Sequence, residues 1–259
     1  MDKLKSKIDW KGLFQKMHVT KPIYVALSGS HLYGFNSPDS DIDLRGCHCE
    51  PLYEVLGLHG NKDTREGTDG EIDFVSFDIR KELGLVMANN SNVLEHLAAT
   101  PVYKSNYFYE ELKDVAEKSL SKLVAKPYMG MAVANQNKYL RTFNEAYREA
   151  TAKKYLYVIR GYMAGIYALE NKRIQPNLKK LNEMRRFKIP IVDELIELKM
   201  KKAEFVDVTQ EIRMEADKAI DYLAKEFAHA EANTTLPSSP QNYDKANELL
   251  IKIRMKGEI

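Results

Sequence analysis

The stretch that decides the fold is Leu27-Ser28-Gly29-Ser30, followed after ten residues by Asp41-Ile42-Asp43-Leu44. An apolar run, residues 23–27, leads into the first part and is typical of a buried β-strand that enters a tight turn. Polar and apolar residues alternate over 41–45, which predicts a second strand with one buried face. Asp41 and Asp43 therefore project from the same face of that strand.

A third carboxylate, Asp73, lies in another alternating segment, residues 71–75. If the two strands are neighbours, the alternation of side chains places Asp73 on the same face of the sheet as Asp41 and Asp43. Three carboxylates in one patch repel one another unless a cation neutralises them, and oxygen ligands are the preference of Mg²⁺. The sequence therefore predicts two Mg²⁺ ions held by Asp41, Asp43 and Asp73, which are also the predicted catalytic residues.

Gly29 and Ser30 supply the other half of the predicted site. A glycine directly after a buried strand lets the backbone approach a ligand closely, and free N–H groups at such a turn suit a phosphate. Gly29 and Ser30 are therefore predicted to contact a triphosphate, with the Ser30 hydroxyl bonding its terminal phosphate. His31 follows the turn and is a further candidate for this contact, with a structural role as the alternative.

Composition indicates an ordinary folded protein of 259 residues with 44% apolar and 29% charged residues, which excludes disordered and disulfide-scaffold classes. Up to residue 100 there are 11 basic against 15 acidic residues, and after it 28 against 22. Nine of the 13 glycines also precede residue 100. We therefore predict an α/β (α+β) catalytic domain with a small mixed sheet over 1–104, and an all-helical domain over 105–259 that closes the cleft.

Local patterns divide the rest of the chain into loops and helices. The Gly-, Asn-, Asp- and Thr-rich stretch 57–70 is predicted to be a loop. A short amphipathic helix is predicted over 3–17. Further helices are predicted over 79–88, 91–98, 106–125, 131–150, 153–170, 176–186, 190–203, 209–232 and 241–256, with prolines at or near the breaks.

The helix over 153–170 has two neighbouring stripes. One is apolar and predicts a core face, formed by Leu156, Ile159, Met163 and Ile166. The next contains Lys153, Tyr157 and Arg160, which we predict to contact the nucleotide base and triphosphate. A solvated edge is the alternative interpretation of this second stripe.

Basic residues recur between Lys138 and Lys202, among them Arg148, and tyrosines such as Tyr147 lie between them. A positive surface rich in tyrosine suits an RNA partner, because aromatic rings can stack on bases. Acidic residues are also frequent in this region, and mixed Lys and Glu faces are usually solvated helix surfaces. RNA and an ordinary solvated surface both remain open at this point.

No apolar run reaches the ~18 residues that a membrane span needs, and the first residues lack the apolar core of a secretory signal. We therefore predict a cytoplasmic protein with no membrane partner. Cys47 and Cys49 are too few and too close for a closed zinc site, and are expected to be reduced thiols. The oligomeric state is left open by the sequence.

Residues 27–46, here called the signature segment, resemble the signature of the DNA polymerase β nucleotidyltransferase superfamily, and within it most closely the RlaP-like group associated with RNA repair. Residues 76–81 and 89–97 resemble the same group, although Ser91 stands at a helix entrance where the group typically has proline. The resemblance covers about residues 23–100 and is weaker beyond. It implies metal binding by Asp41, Asp43 and Asp73 and triphosphate contacts by Gly29 and Ser30.

The expected function is Mg²⁺-dependent transfer of a nucleoside monophosphate from a nucleoside triphosphate, with ATP as the expected donor, to a hydroxyl on RNA. Pyrophosphate is the other product. By the resemblance, Asp73 serves the ion that activates the acceptor, and Asp41 and Asp43 bridge both ions. Two alternatives stay open: an enzyme that adds AMP to a protein side chain, and a module that binds a nucleotide without turning it over.

Overall fold

The protein is described here by a computed structural model that covers residues 8–58, 60, 62–105, 108–141, 150–201 and 208–256. Tyr147, Arg148 and Lys202 of the predicted basic and aromatic surface lie outside these ranges, as do parts of the helices predicted over 3–17 and 131–150.

A mixed sheet carries the signature segment, and within the described residues it has five strands in the order β3-β4-β2-β1-β5. The strands are β1 (Pro22–Leu27), β2 (Ile42–His48), β3 (Thr64–Asp69), β4 (Ile72–Asp78) and β5 (Tyr103–Lys104). β2 pairs with β4 in parallel, and the other neighbouring pairs are antiparallel. The small mixed sheet predicted from the sequence is confirmed.

The sheet forms where the sequence pattern places it. β1 is buried along nearly its whole length because strands cover both of its edges and apolar side chains cover its faces. Leu44 of β2 and Phe74 of β4 have no exposed surface and pack with Leu13 and Phe14 of a short helix, α1 (Trp10–Lys16). This core covers one face of the sheet, so the alternate residues of β2 and β4 lie on the other face.

The prediction of a loop over 57–70 is wrong where the chain forms strand β3. Residues 64–69 pair antiparallel with β4 and turn into it at Gly70, which has a φ of +60°. The sequence of β3 is polar because it is an edge strand with little buried surface, and so it lacks the apolar alternation that predicts a strand. Its pairing with β4 supplies the stability that local propensity does not.

Apart from two five-residue helices, Gly29–Tyr33 and Leu52–Leu56, which the sequence pattern did not predict, the helices agree closely with that pattern over most of the chain. After α1 they are α2 (Gly29–Tyr33), α3 (Leu52–Leu56), α4 (Ile79–Met87), α5 (Ser91–Ala98), α6 (Phe108–Lys118), α7 (Ala125–Asn135), α8 (Ala152–Asn171), α9 (Leu178–Glu183), α10 (Pro190–Lys201), α11 (Gln210–Asn233) and α12 (Tyr243–Lys256). A 3₁₀ turn (Lys122–Val124) precedes α7 and a π-helical turn (Gln136–Leu140) follows it.

Two helix predictions need correction. The helix predicted over 106–125 ends at Lys118, since Ser119 turns its hydroxyl back onto the Val115 carbonyl and Ser121 caps a separate 3₁₀ turn. The helix predicted to begin at 131 begins at Ala125, because Pro127 lies in its first turn, where no intrahelical N–H bond is lost.

The described contacts divide the chain into two compact units. Unit 1 comprises 1–29, 41–119 and 240–259 and contains the sheet, and unit 2 comprises 30–40 and 120–239. In unit 2, α7, α10 and α11 pack around α8, whose predicted apolar stripe is fully buried. The domain boundary at 104/105 and the closing of a cleft stay predictions. No helix in the described part of the chain is both long and apolar enough to span a membrane.

Candidate functional site

Parallel strands β2 and β4 position two of the predicted carboxylates. The register pairs Asp43 directly with Asp73, and both side chains are half-buried. Their neighbours Leu44 and Phe74 are also paired and face the core, so the alternation of each strand turns both aspartates to the opposite face. The predicted convergence of Asp43 and Asp73 on one face of the sheet is present in the structure.

Arg45 joins these two carboxylates. One of its terminal nitrogens, Nη2, lies 3.2 Å from Asp43 Oδ1 and 2.7 Å from Asp73 Oδ2. Its other terminal nitrogen, Nη1, donates to the backbone carbonyls of Leu44 and Asp73, at 2.9 Å each. The two carboxylate oxygens therefore face a common point that is occupied by a positive charge.

Gly29 lies against Asp43. Its φ of +56° falls in the left-handed region, and a Cβ added there would lie 2.0 Å from Asp43 Oδ2. The preceding residue, Ser28, donates its N–H to the Asp43 carbonyl at 2.8 Å. Any side chain at position 29 would displace the carboxylate, so glycine is required here by both backbone conformation and space.

Asp41 differs from the other two predicted ligands. It is exposed and lies just before β2, whereas Asp43 and Asp73 lie within paired strands. Across the described ranges, no group of three or more His, Cys, Asp or Glu side chains is placed so that it could hold a metal ion. The contribution of Asp41 to a metal site therefore stays a prediction.

His96 is a neighbour of the signature segment that the sequence reasoning did not assign to the site. Its Nε2 lies 2.9 Å from the hydroxyl of Ser28, and both side chains are buried. His96 belongs to α5, whose entrance is capped by the Asn90 side chain with Ser91 as the first helical residue. His96 lies in the segment 89–97, whose resemblance to the nucleotidyltransferase group was a sequence signal that could have assigned it to the site.

The second half of the signature segment, residues 30–40, lies in unit 2 and packs on α8. The Tyr157 ring makes edge contacts with Tyr33 and Phe35, with centroids 5.8 and 5.7 Å apart. The guanidinium of Arg160 lies 3.7 Å from the centre of the Tyr33 ring and has no exposed surface. Two of the three predicted α8 residues therefore contact the signature segment.

Lys153, the third predicted α8 residue, acts on Asp39 of the same segment. A hydrogen bond from Ser37 lowers the pKa of Asp39 most, and the charges of Lys199 and Lys153 lower it further. Lys153 itself is half-buried. The three predicted nucleotide contacts on α8 thus all lie beside residues 33–39.

Ser30 is buried and His31 is half-buried. Within the described residues, the buried Nε2 of His31 has no hydrogen-bond partner. This nitrogen could accept or donate a hydrogen bond, depending on the tautomer. The predicted phosphate contacts by Ser30 and His31 stay predictions.

Lys199 is a second residue that the sequence reasoning missed. Although only 2% exposed, it donates from Nζ to the Ser37 hydroxyl at 2.5 Å. Burial lowers the pKa of this lysine, and the Asp39 charge opposes that effect. Ser37 also bonds Ser40 through its backbone N–H and its hydroxyl, so Lys199 anchors the turn that leads into Asp41. A buried lysine gives no local sequence signal that separates it from the surface lysines of α10.

The donor set fits a hard cation. Asp43 and Asp73 present carboxylate oxygens, which Mg²⁺ prefers, and a guanidinium already lies at the point on which they converge. The carboxylate oxygens of Asp43 and Asp73 that face the guanidinium would also neutralise a metal cation bound at this point. Asp43 and Asp73 are therefore the residues that would hold a metal ion.

A mixed sheet with paired aspartates beside a Gly-Ser turn is typical of nucleotidyltransferases of the polymerase β type. The family described as "RlaP: RNA repair pathway DNA polymerase beta family" matches residues 11–252. The chain belongs to this family and is a nucleotidyltransferase. The family membership indicated by the signature segment is thereby confirmed.

Two curated relatives, both described as uncharacterized proteins, are similar to this chain. A protein of Methanocaldococcus jannaschii is 30% identical over 185 residues, which cover 70% of this chain and 74% of that protein. YcgL of Bacillus subtilis is 27% identical over 172 residues, covering 65% of this chain and 64% of YcgL, which is less than two thirds of its length.

The chain also matches solved structures. Among them is the crystal structure of a nucleotidyltransferase-like protein from Exiguobacterium sibiricum, with 9% identity and a TM-score of 0.33. The match covers 95% of this chain and 78% of the other chain. Membership of the family rests on the family match.

Proposed function

We propose that the protein transfers a nucleoside monophosphate from a nucleoside triphosphate to a hydroxyl at an RNA end, with Mg²⁺ as the cofactor, ATP as the donor and pyrophosphate as the second product. The observation that carries the proposal is the convergence of Asp43 and Asp73 on one point beside Gly29. In a nucleotidyltransferase, such a point is suited to the charge that develops during phosphoryl transfer.

The proposed metal site consists of Asp43 and Asp73, with Asp41 as the third ligand. Bound there, Mg²⁺ would supply Lewis-acid stabilisation of the phosphoryl oxygens. The chain's own residues have separate tasks. Gly29 leaves space for the Asp43 carboxylate and for a close backbone approach, and the Ser28–His96 hydrogen bond fixes the strand end that precedes it.

Nucleotide binding is proposed for Ser30, His31, Lys153, Tyr157 and Arg160. Ser30 and His31 offer a hydroxyl and a ring nitrogen, and Lys153 adds a positive charge. Tyr157 keeps exposed surface and is the proposed contact for the base. Arg160 is fully buried on Tyr33, so its proposed effect on the nucleotide passes through the signature segment that it supports.

Support for an RNA acceptor comes from the family description and from a basic aromatic cluster in unit 2. Lys154 and Lys138 lie 3.6 and 4.8 Å from the centre of the Tyr139 ring. A hydrogen bond with Lys138, together with the charge of Lys154, lowers the pKa of Tyr139. Two ammonium groups beside one partly exposed aromatic ring form a combination suited to a phosphate backbone with unstacked bases.

The test is a labelling experiment. The purified protein is incubated with Mg²⁺, each α-labelled nucleoside triphosphate in turn, and either total RNA or total protein. We expect label in the RNA fraction, most strongly with ATP, and no label when EDTA replaces Mg²⁺. Label in the protein fraction alone would favour the enzyme that modifies protein side chains, and label in neither would refute transfer.

Asp43→Asn and Asp73→Asn provide the site-specific arm of the experiment. Each substitution removes a carboxylate charge with little change in shape, so both variants should lose transfer by at least about 100-fold. Asp69→Asn is the matched control, because Asp69 lies on edge strand β3 and pairs with Lys16 outside the site. Transfer retained by the Asp43 and Asp73 variants would remove the assignment.

A further inference from the structure

Arg45 lies at the proposed metal site but has no role in the proposed reaction. Its side chain is mostly buried and makes four hydrogen bonds, two to backbone carbonyls through Nη1 and two to the carboxylates of Asp43 and Asp73 through Nη2. The carbonyl bonds hold the guanidinium beside β2 and β4. Its charge therefore stays near the carboxylates even when the Nη2 bonds are broken.

The two carboxylates need a positive charge between them. Asp43 and Asp73 are directly paired across parallel strands, and one oxygen of each lies within 3.2 Å of the same nitrogen. Two ionised carboxylates this close repel each other unless a cation lies between them. In the described structure, Nη2 of Arg45 fills that position.

Gly29 limits how the pair can relax. The second oxygen of Asp43 lies only 2.0 Å from the position that a Cβ of residue 29 would take, so the backbone of Gly29 packs closely against the carboxylate. The Asp43 side chain cannot easily turn towards that side. The aspartate pair is therefore held in place from both sides, by Gly29 and by Arg45.

We propose that Arg45 is a built-in counter-cation of the metal site, which keeps the aspartate pair assembled without metal and lowers its affinity for a divalent cation. The inference rests on the proposed function, because it assigns the metal to Asp43 and Asp73. A metal ion must replace Nη2 at the oxygens and then share the site with a charge held by the Nη1 bonds. Both effects oppose binding of the cation.

The test measures binding of Mn²⁺ alone, without nucleotide or RNA, from the electron paramagnetic resonance signal of the free ion. Arg45→Met removes the charge and keeps an unbranched side chain, so we expect Mn²⁺ to bind about 10-fold more tightly or better. Arg45→Lys keeps a positive charge and should remain within about threefold of wild type. Arg80→Met is the matched control, since Arg80 is exposed and lies beyond the other end of β4.

Thermal unfolding gives a second measurement. In EDTA, Arg45→Met should unfold at a lower temperature than wild type, because the aspartate pair has lost its counter-charge. Added Mn²⁺ should raise its unfolding temperature by more than it raises that of wild type. An equal rise in both proteins, or Mn²⁺ affinity unchanged or weakened by Arg45→Met, would overturn the inference.

A double variant covers the case in which Arg45→Met does not fold. Arg45→Met combined with Asp73→Asn removes the like-charge pair together with its counter-charge. A folded double variant supports the inference, whereas failure of both variants to fold would show a purely structural arginine and overturn it. These measurements need no transfer activity, so absence of RNA labelling would refute the proposed reaction and leave the role of Arg45 to be decided by Mn²⁺ binding.

Discussion

Glu82 of α4 is a buried acid whose protonation should make the stability of the protein depend on pH. It is 1% exposed and accepts a hydrogen bond from the hydroxyl of Tyr24 on β1. Burial raises the pKa of Glu82 from 4.5 to about 8, and the Tyr24 hydrogen bond opposes part of that rise. The folded protein therefore keeps Glu82 neutral at pH 7, whereas the unfolded chain ionises it.

The sign and the size of the pH effect on stability follow from the difference in the pKa of Glu82 between the folded and the unfolded state. Below pH 4.5 the Glu82 carboxyl is neutral in both the folded and the unfolded state, so its burial costs no stability. As pH rises towards 8, the unfolded chain ionises Glu82 while the folded protein keeps it neutral, and the free energy of unfolding falls. Each pH unit between the two pKa values costs about 1.4 kcal/mol of unfolding free energy. Glu82→Gln keeps the shape of the neutral acid and cannot ionise. Relative to this variant, wild type should lose about 3 kcal/mol between pH 5 and pH 7.5.

The assay is urea unfolding of both proteins at pH 5, 6, 7 and 7.5. Taking the difference between the two proteins cancels the titration of groups that they share, among them His48, whose pKa burial lowers. Glu66→Gln on edge strand β3 controls for the amide substitution at an exposed position. A difference between wild type and Glu82→Gln that is constant over this range would refute the reasoning.

Three further substitutions test the site and its supports. Gly29→Ala should destabilise the protein by about 1–2 kcal/mol in urea unfolding and abolish transfer, because a Cβ at positive φ displaces the Asp43 carboxylate. Arg254→Met leaves Asp78, which is 2% exposed, without its ion-pair partner and should cost about 3 kcal/mol in the same measurement. Lys199→Met should slow nucleotide transfer about 10-fold or more in the labelling assay, because it releases the turn before Asp41.

Each of these substitutions has a matched control in the same chain. Gly84→Ala lies in α4 with open space at its Cβ position and should stabilise slightly, by about 0.5–1 kcal/mol. Arg80→Met is exposed and should change stability little. Lys201→Met removes an exposed lysine from the same helix as Lys199 and should leave transfer unchanged. A control that behaves like its test variant would contradict the corresponding argument.

Local patterns predicted much of the secondary structure. The apolar run before Gly29 and the alternation around Asp43 and Asp73 give β1, β2 and β4, and helical periodicity places α8 to within one residue at each end. One prediction fails where a partner distant in sequence decides the structure, and another fails where local side-chain bonds decide it. Strand β3 is polar, and its pairing with β4 overrides its loop-like composition. Helix α6 ends early because short serine-to-backbone bonds compete with the helix.

The sequence by itself determined the family and which residues form the candidate site, because the side-chain period of a strand and the spacing from Gly29 to Asp43 are local properties. Only the tertiary structure decided that Asp43 pairs with Asp73, because the register of β2 and β4 joins segments about 30 residues apart. The tertiary structure also decided that a positive charge lies between these two carboxylates. Arg45 follows Asp43 by two residues, yet its bonds to both carboxylates exist because the parallel pairing brings β4 alongside.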